Sequence, residues 1–190
     1  MNIFFLHPDP RRCARWHCDK HVVKMLLETC QLLYTCHWII DGVPDFSGAP
    51  RAKGAEVGGY KKSHMNHPCA KWVRLSLTNY VWLATLGLEL LREYEFRYGS
   101  CSGSQKQKKV HGCASHIQWL YANRPAGLLD YGWIEPAKAM PDIYKSVDAV
   151  SSYRRYYNGA KRDAGLLVYT RRHMPHWLKP DGPEYFTSIS

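Results

Sequence analysis

Between Trp16 and Trp38 the chain reads WHCDKHVVKMLLETCQLLYTCHW, and its polar residues His17, His21, Lys24, Glu28, Gln31 and Thr35 recur at alternating steps of four and three. At 3.6 residues per turn this spacing lines them along one side of a helix. Val22, Val23, Met25, Leu26, Leu27, Cys30, Leu32, Leu33 and Cys36 cover the rest. A helix that is apolar nearly all round belongs inside a bundle, with its narrow polar stripe turned to a pocket or groove. A Lys24–Glu28 pair four apart is on many helices only a solvated ion pair of about 0.3–0.5 kcal/mol. A stripe that mixes imidazoles, an amine, a carboxylate and an amide offers more. Such neighbours shift one another's pKa values toward neutrality, as acid and base chemistry requires.

The chain offers two amines as nucleophiles. Lys24 would gain a free amine by burial beside His21, and an α-amino group, here that of Met1, has an intrinsic pKa of about 8 that leaves some free base at neutral pH. An amine that attacks a sugar C1′ expels a base and forms a Schiff base, while a carboxylate such as Glu28 protonates, polarises or stabilises the sugar. Trp16, Trp38 or Trp72 would fill the space of a base flipped out of its stack. His64 and His67 stand just before a helix start at Pro68, where imidazoles and unpaired backbone N–H groups can receive a phosphate. With His17 and Gln31 they form the nucleotide-orienting set.

Metal chemistry is the competing reading of the same histidines. His17, Cys18, His21, His64, His67 and Cys69 are zinc-type ligands, but Asp19 and Lys20 break the HExxH order and there are no paired CxxC motifs. The expectation is no metal and no cofactor. A metal-dependent phosphoester hydrolase and a non-catalytic nucleotide or nucleic-acid binding protein stand as alternatives to the amine enzyme.

Charge points to the partner. Lys and Arg outnumber Asp and Glu by 26 to 16, a formal charge of +10. A globular chain so basic is suited to a polyanion. Its C-terminal half interleaves Arg154, Arg155, Lys161, Arg162, Arg171 and Arg172 with Tyr153, Tyr157 and Trp177, guanidinium and ammonium groups for phosphates and rings for bases. Nucleic acid, DNA in the first place, is the expected partner. No apolar run is long and uncharged enough to cross a bilayer and no signal-peptide succession opens the chain, so no membrane association and a cytoplasmic location are expected. The seven cysteines, an odd number lying largely on apolar helix faces, suit reduced buried thiols.

The elements that must position these groups are helices. Asp9-Pro10 suits a helix start leading through Arg12 into the Trp16–Trp38 helix. Residues 41–62, rich in Gly and Pro, read as a long loop of the kind that forms a functional surface or lid. Asn66, His67 and Pro68 signal a second long helix, Ala70 to Tyr98, stopped by Gly99. A polar tract with Lys106, Lys108 and Lys109 follows, then a short helix within residues 111–123, an irregular connection from 125 to 144, and a helix capped by Asp148 over residues 149–165. No repeat and no β alternation beyond the first six residues are visible. One mainly α domain over residues 1–190 is expected, a single compact helical domain with long irregular connections.

The segments CDKHVVKMLLETCQLL, HMNHPCAKW, MPDIYK and AVSSYRRYYNGAK resemble a group of small phage and bacterial proteins, a likeness that carries little mechanism. A second resemblance is to the pyrimidine-dimer DNA glycosylase and AP lyase family of the endonuclease V type. It rests on the short amino terminus, the first helix with Asp19, His21 and Glu28, the second long helix, and the basic helix leading to a Pro and Trp tail. It implies an all-α fold, the amino-terminal amine as nucleophile and an essential glutamate, which the D-x-H-x6-E spacing places at Glu28. The sequence departs from that family where Leu27 and Gln31 replace two arginines, and the 41–62 loop has no counterpart there. Asn2 is too large for ordinary removal of Met1, so the amine would be that of Met1. The expected function is a glycosylase acting on a modified or damaged pyrimidine in DNA, with an AP lyase step open to it.

Overall fold

Two helices of 22 residues each, α2 (Asp19–Ile40) and α4 (Leu77–Tyr98), lie against each other at the centre of the molecule. The computed structural model describes residues 1–99 and 109–178. α1 (Pro10–Trp16) packs on α4, α3 (Pro68–Val73) on α2 and α4, and α5 (Ala114–Ala122) on both long helices. α6 (Ala149–Tyr156) runs on into a π-turn, Tyr157–Lys161. No β-strand occurs among the described residues; Arg51 makes isolated bridges to Gly58 and Gly59. The fold is mainly α, as expected, and no described helix is long and apolar enough to cross a membrane.

Three helix starts follow local rules. The Asp9 side chain accepts from Arg12 N ahead of Pro10, the His67 ring accepts from Cys69 N ahead of Pro68, and Asp148 accepts from Ser151 N. The first predicted helix does not run through. α1 ends at His17, whose extended backbone (ψ 135°) turns its ring into the interior, where the two ring nitrogens meet Cys13 O at 2.8 Å and Ile3 O at 3.2 Å. α2 then starts afresh at Asp19, so His17 leaves the polar stripe.

The second predicted helix is also divided. Arg74 leaves helical geometry, and α4 restarts behind Ser76. The cause lies 54 residues away: Asp130 Oδ1 accepts from Ser76 Oγ at 2.7 Å, Thr78 N at 3.1 Å and Thr78 Oγ1 at 2.7 Å, a carboxylate capping the amino end of α4. At Gly87 an added Cβ would lie 2.9 Å from Ile117 and 3.2 Å from Thr29, so this glycine lets α2, α4 and α5 close on one another. The final helix is shorter than expected because the π-turn interrupts it.

The loop predicted over 41–62 is present and runs on to residue 67, just before α3. It is fastened to the carboxyl half of α2 by Trp38 Nε1 donating to Tyr60 O at 3.0 Å and by Thr35 Oγ1, which donates to Ser63 O and accepts from Ser63 N at 3.1 Å. Thr35 thus serves the loop. The amino-terminal Ile3, Phe4, Phe5 and Leu6 are each at most 5 % exposed and thread through the core as an extended segment. The six described cysteines are buried thiols without disulfides, while Cys101, Lys106, Lys108 and the end of the basic tail beyond Leu178 lie outside the described residues.

Candidate active site

The first turns of α2, the start of the chain and the π-turn enclose a cleft of about 440 Å³. Met1, Asn2 and Phe4 line it from the start of the chain, Lys20, His21, Lys24, Met25 and Glu28 from α2, and Ala139, Tyr156, Lys161 and Leu166 from the C-terminal half. Three lysines and the terminal amine face a single carboxylate there. A cleft rich in one sign of charge and bounded by protein of low polarisability concentrates its field on an anion.

Glu28, 7 % exposed, sits where three donors converge. The backbone N–H of Asn2 donates to Oε2 at 2.6 Å, the Met1 amine lies 3.9 Å from the same oxygen, and Lys24 Nζ lies 3.4 Å from Oε1. The bond from Asn2 ties the chain terminus to α2, so amine and carboxylate share one frame. Asn2 is held in turn, its Nδ2 donating to Ala139 O at 2.8 Å and its Oδ1 accepting from Ile3 N and Phe4 N. Phe4 takes a left-handed backbone (φ 52°), unusual outside glycine, and stacks on the His21 ring at 4.1 Å and 15°. Strain of this kind persists where surrounding contacts over-determine it, commonly at functional sites. His64 (φ 49°) is another such residue.

His21, 5 % exposed, meets the Tyr157 hydroxyl through Nδ1 at 2.5 Å. Burial first, then the charges of His17, Lys161 and Lys24, depress its pKa to about 3, so the ring is neutral at physiological pH. His67 lies within electrostatic reach of the Met1 amine and Glu28, and burial followed by the Met1 amine and His64 lowers its pKa. The pre-α3 loop thus lies within electrostatic reach of the stripe and the terminus.

Several sequence candidates lie elsewhere. Lys24 reaches Glu28, but with its side chain 68 % exposed it is a solvated amine at the rim rather than a buried one. Gln31 is half-buried one turn further along α2 and does not line the cleft. Val23 and Leu27, expected in the core, are 38 % and 40 % exposed. His17 is wholly buried, with its pKa pushed down to about 4 by burial, and takes no part in the cleft. Trp72, 2 % exposed, donates to Ile134 O at 2.8 Å and packs on Trp82 and Trp133, so it is a core residue with no face left for a base.

The basic surface also divides. Arg154 donates to Leu6 O at 3.1 Å and lies over the rings of Trp16 and Trp177. Arg171 donates to Phe96 O and Gly99 O, and Arg172 grips Glu93 with two bonds of 2.8 and 2.9 Å. These arginines fasten the C-terminal segment to the helices, a use of charge that composition does not distinguish from phosphate binding. Arg162 bonds to Asn158, and Arg155 is half-buried on α6. Lys161 alone of the basic candidates lines the cleft, its Nζ 3.1 Å from Tyr156 Oη and above the Phe4 ring. Sequence reasoning missed Lys20, legible as the residue four before Lys24, and Asn2, which acts through its backbone. It also missed Tyr157 as a partner of His21, 136 positions away.

Among the described residues no three His, Cys, Asp or Glu side chains form a group that could hold a metal ion. No curated protein and no solved structure matches the chain. The profile of a family described as pyrimidine dimer DNA glycosylase matches residues 1–101, the part that supplies Met1, Asn2, His21, Lys24, Glu28 and His67. With more than half its length matched, the part that brings Met1, Asn2, His21, Lys24 and Glu28 into the cleft included, the chain belongs to the pyrimidine dimer DNA glycosylase family.

Proposed function

We propose that this protein removes a damaged pyrimidine from DNA through attack by the Met1 amine on the deoxyribose C1′, with Glu28 as the catalytic carboxylate. The observation that carries the reading is the pairing of a terminal amine and a nearly buried carboxylate, 3.9 Å apart, in a lysine-lined cleft. An α-amino group has an intrinsic pKa about two units below that of a lysine, so more of it is free base at neutral pH. Its lone pair bonds to C1′, and the C1′–N bond to the base breaks with its electron pair leaving on the base, which takes up a proton. The new C1′–N bond to Met1 carries an extra proton that the Glu28 carboxylate accepts. Opening of the sugar ring, with a proton delivered to O4′, completes the imine.

Glu28 contributes twice in this sequence, as a negative charge beside the positive C1′ of the transition state and as a proton acceptor. Loss of a C2′ proton from the imine would expel the 3′ phosphate, the AP lyase step. Lys20, Lys24 and Lys161 hold phosphates flanking the reacting sugar, and His67 lies within electrostatic reach of the amine. The test is strand scission, and release of free thymine after photoreversal of the cyclobutane ring, on a duplex carrying a cyclobutane thymine dimer, with Glu28→Gln alongside wild type. The variant should lose at least about 100-fold in turnover and retain DNA binding and thermal stability. Equal turnover by the variant, or saturable binding with no product from wild type, would refute the proposal, the latter in favour of a non-catalytic binding protein.

A further inference from the structure

His21 belongs to the family-matched half of the chain, but the group that fixes its ring does not. Tyr157 opens the π-turn Tyr157–Lys161 and is wholly buried. Turns of this type, with one residue more than an α-helix accommodates, recur at functional sites. Here the turn supplies two residues to the cleft region from one short segment, Tyr157 behind His21 and Lys161 at the wall.

The proton inventory around Tyr157 leaves one arrangement. Burial keeps the phenol protonated far above its usual range, and His21 Nδ1 is its one hydrogen-bond partner among the described residues, so a hydroxyl that accepted from that nitrogen would leave its own buried proton unpaired. The hydroxyl proton therefore goes to His21 Nδ1, 2.5 Å away, and Nδ1 is an acceptor. A neutral imidazole with Nδ1 unprotonated carries its proton on Nε2. Phe4, stacked on the same ring, fixes its plane. Among the described residues Nε2 has no hydrogen-bond partner, and it is not one of their buried unpartnered atoms, Ser63 Oγ and Trp177 Nε1. It is left to a ligand in the cleft.

We infer that Tyr157 is a positioning residue that holds His21 as the Nε2–H tautomer, a neutral hydrogen-bond donor to an anionic oxygen of the sugar–phosphate bound in the cleft. The inference rests on the function proposed above for the identity of that oxygen, and on geometry alone for the tautomer. A neutral donor differs in use from the surrounding ammonium groups. Lys24 and Lys161 bring positive charge near the ring, with His17 behind, and a cationic imidazole there would be repelled by them and would lose its hydration to burial. Glu28 lies seven residues on along the same helix, so the donor and the carboxylate present themselves to one substrate.

The test is long-range 1H–15N correlation NMR on protein labelled with 15N-histidine, with the His21 signals assigned through His21→Gln, recorded from pH 8 to 5 on wild type and Tyr157→Phe. Wild type should show an unprotonated Nδ1 and a protonated Nε2 throughout. Tyr157→Phe, which keeps the ring and removes only the hydroxyl, should show a mixture of tautomers and protonation beginning at higher pH. It should lose about tenfold in kcat/KM on the dimer duplex, the equivalent of about 1.4 kcal/mol, with the loss growing toward acid pH. An Nδ1–H tautomer or a cationic ring in wild type at pH 7 would overturn the inference, even if Tyr157→Phe failed to fold. Unchanged His21 signals in a folded Tyr157→Phe would overturn it equally. Glu28→Gln should leave the His21 signals as they are, so a failure of the glycosylase reading shows in product release and a failure of this one in the NMR.

Discussion

Asp19→Ala tests how the amino end of α2, and with it the cleft, is held in place. Asp19 Oδ1 accepts from Arg97 Nη1 at 2.8 Å, and its carboxylate also accepts from Thr170 N at 3.0 and 3.1 Å and from Thr170 Oγ1 at 2.7 Å. Arg97, with no exposed side-chain surface, further donates to Glu93 Oε1 at 2.8 Å and Arg15 O at 3.0 Å, and Glu93 is gripped by Arg172. Two guanidinium groups and two carboxylates balance. Removal of Asp19 leaves one buried positive charge uncompensated, and breaking a buried pair in this way costs about 3–5 kcal/mol. The Asp19 side chain is 14 % exposed and Glu93 remains as a partner for Arg97, which places the expected loss near the lower limit, about 3 kcal/mol.

For a chain of this size that corresponds to a fall in Tm of roughly 6–12 °C. Urea unfolding of Asp19→Ala, Arg97→Met and the double variant should give a coupling energy of about 2 kcal/mol. Below the melting temperature, product release per folded molecule should change little, since Asp19 touches neither Glu28 nor the terminal amine. A loss under about 1 kcal/mol, the range of an exposed ion pair, would refute the reasoning.

Stability should fall as the solution is acidified from about pH 6.5, well before carboxylates titrate. His17 and His21 have folded-state pKa values lowered by burial to about 4 and about 3 from 6.5, so the unfolded chain binds more protons across that interval. Their contribution is complete above pH 6.5 and is lost as pH drops toward the folded values, by up to about 1.4 kcal/mol per pH unit for each group. Urea midpoints that stay constant between pH 7 and 5 would contradict this. Gly159→Ala should destabilise the π-turn, because the added Cβ would lie 2.5 Å from the Tyr144 ring, itself packed on Tyr156. Forcing an extra carbon into such a contact costs about 1–3 kcal/mol, and an unchanged Tm would show that the turn yields freely.

What the sequence made legible was the part governed by local rules. The stripe from His21 to Glu28 follows from helical spacing, and the caps at Asp9, His67 and Asp148 follow from residue type and Pro placement. The misreadings share one physical origin, a partner distant in sequence. His17 leaves the stripe because Ile3 O receives its ring, and the run from Ala70 to Tyr98 breaks because Asp130 caps Ser76 and Thr78. Arg154, Arg171 and Arg172 looked like phosphate ligands because composition records charge and not its occupation by Leu6 O, Phe96 O or Glu93. The Tyr157–His21 bond joins residues 136 apart and had no local signal.

The most direct test of the central claim is borohydride trapping on a duplex with a single abasic site or thymine dimer, followed by peptide mapping of the adduct. Reduction of an imine should leave the DNA remnant on the α-amino group of Met1, with wild type trapped and Glu28→Gln trapped far more slowly. An adduct on Lys24, Lys20 or Lys161, or no adduct from a preparation that binds the duplex and cleaves the glycosyl bond of the dimer, would contradict the assignment of Met1 as nucleophile.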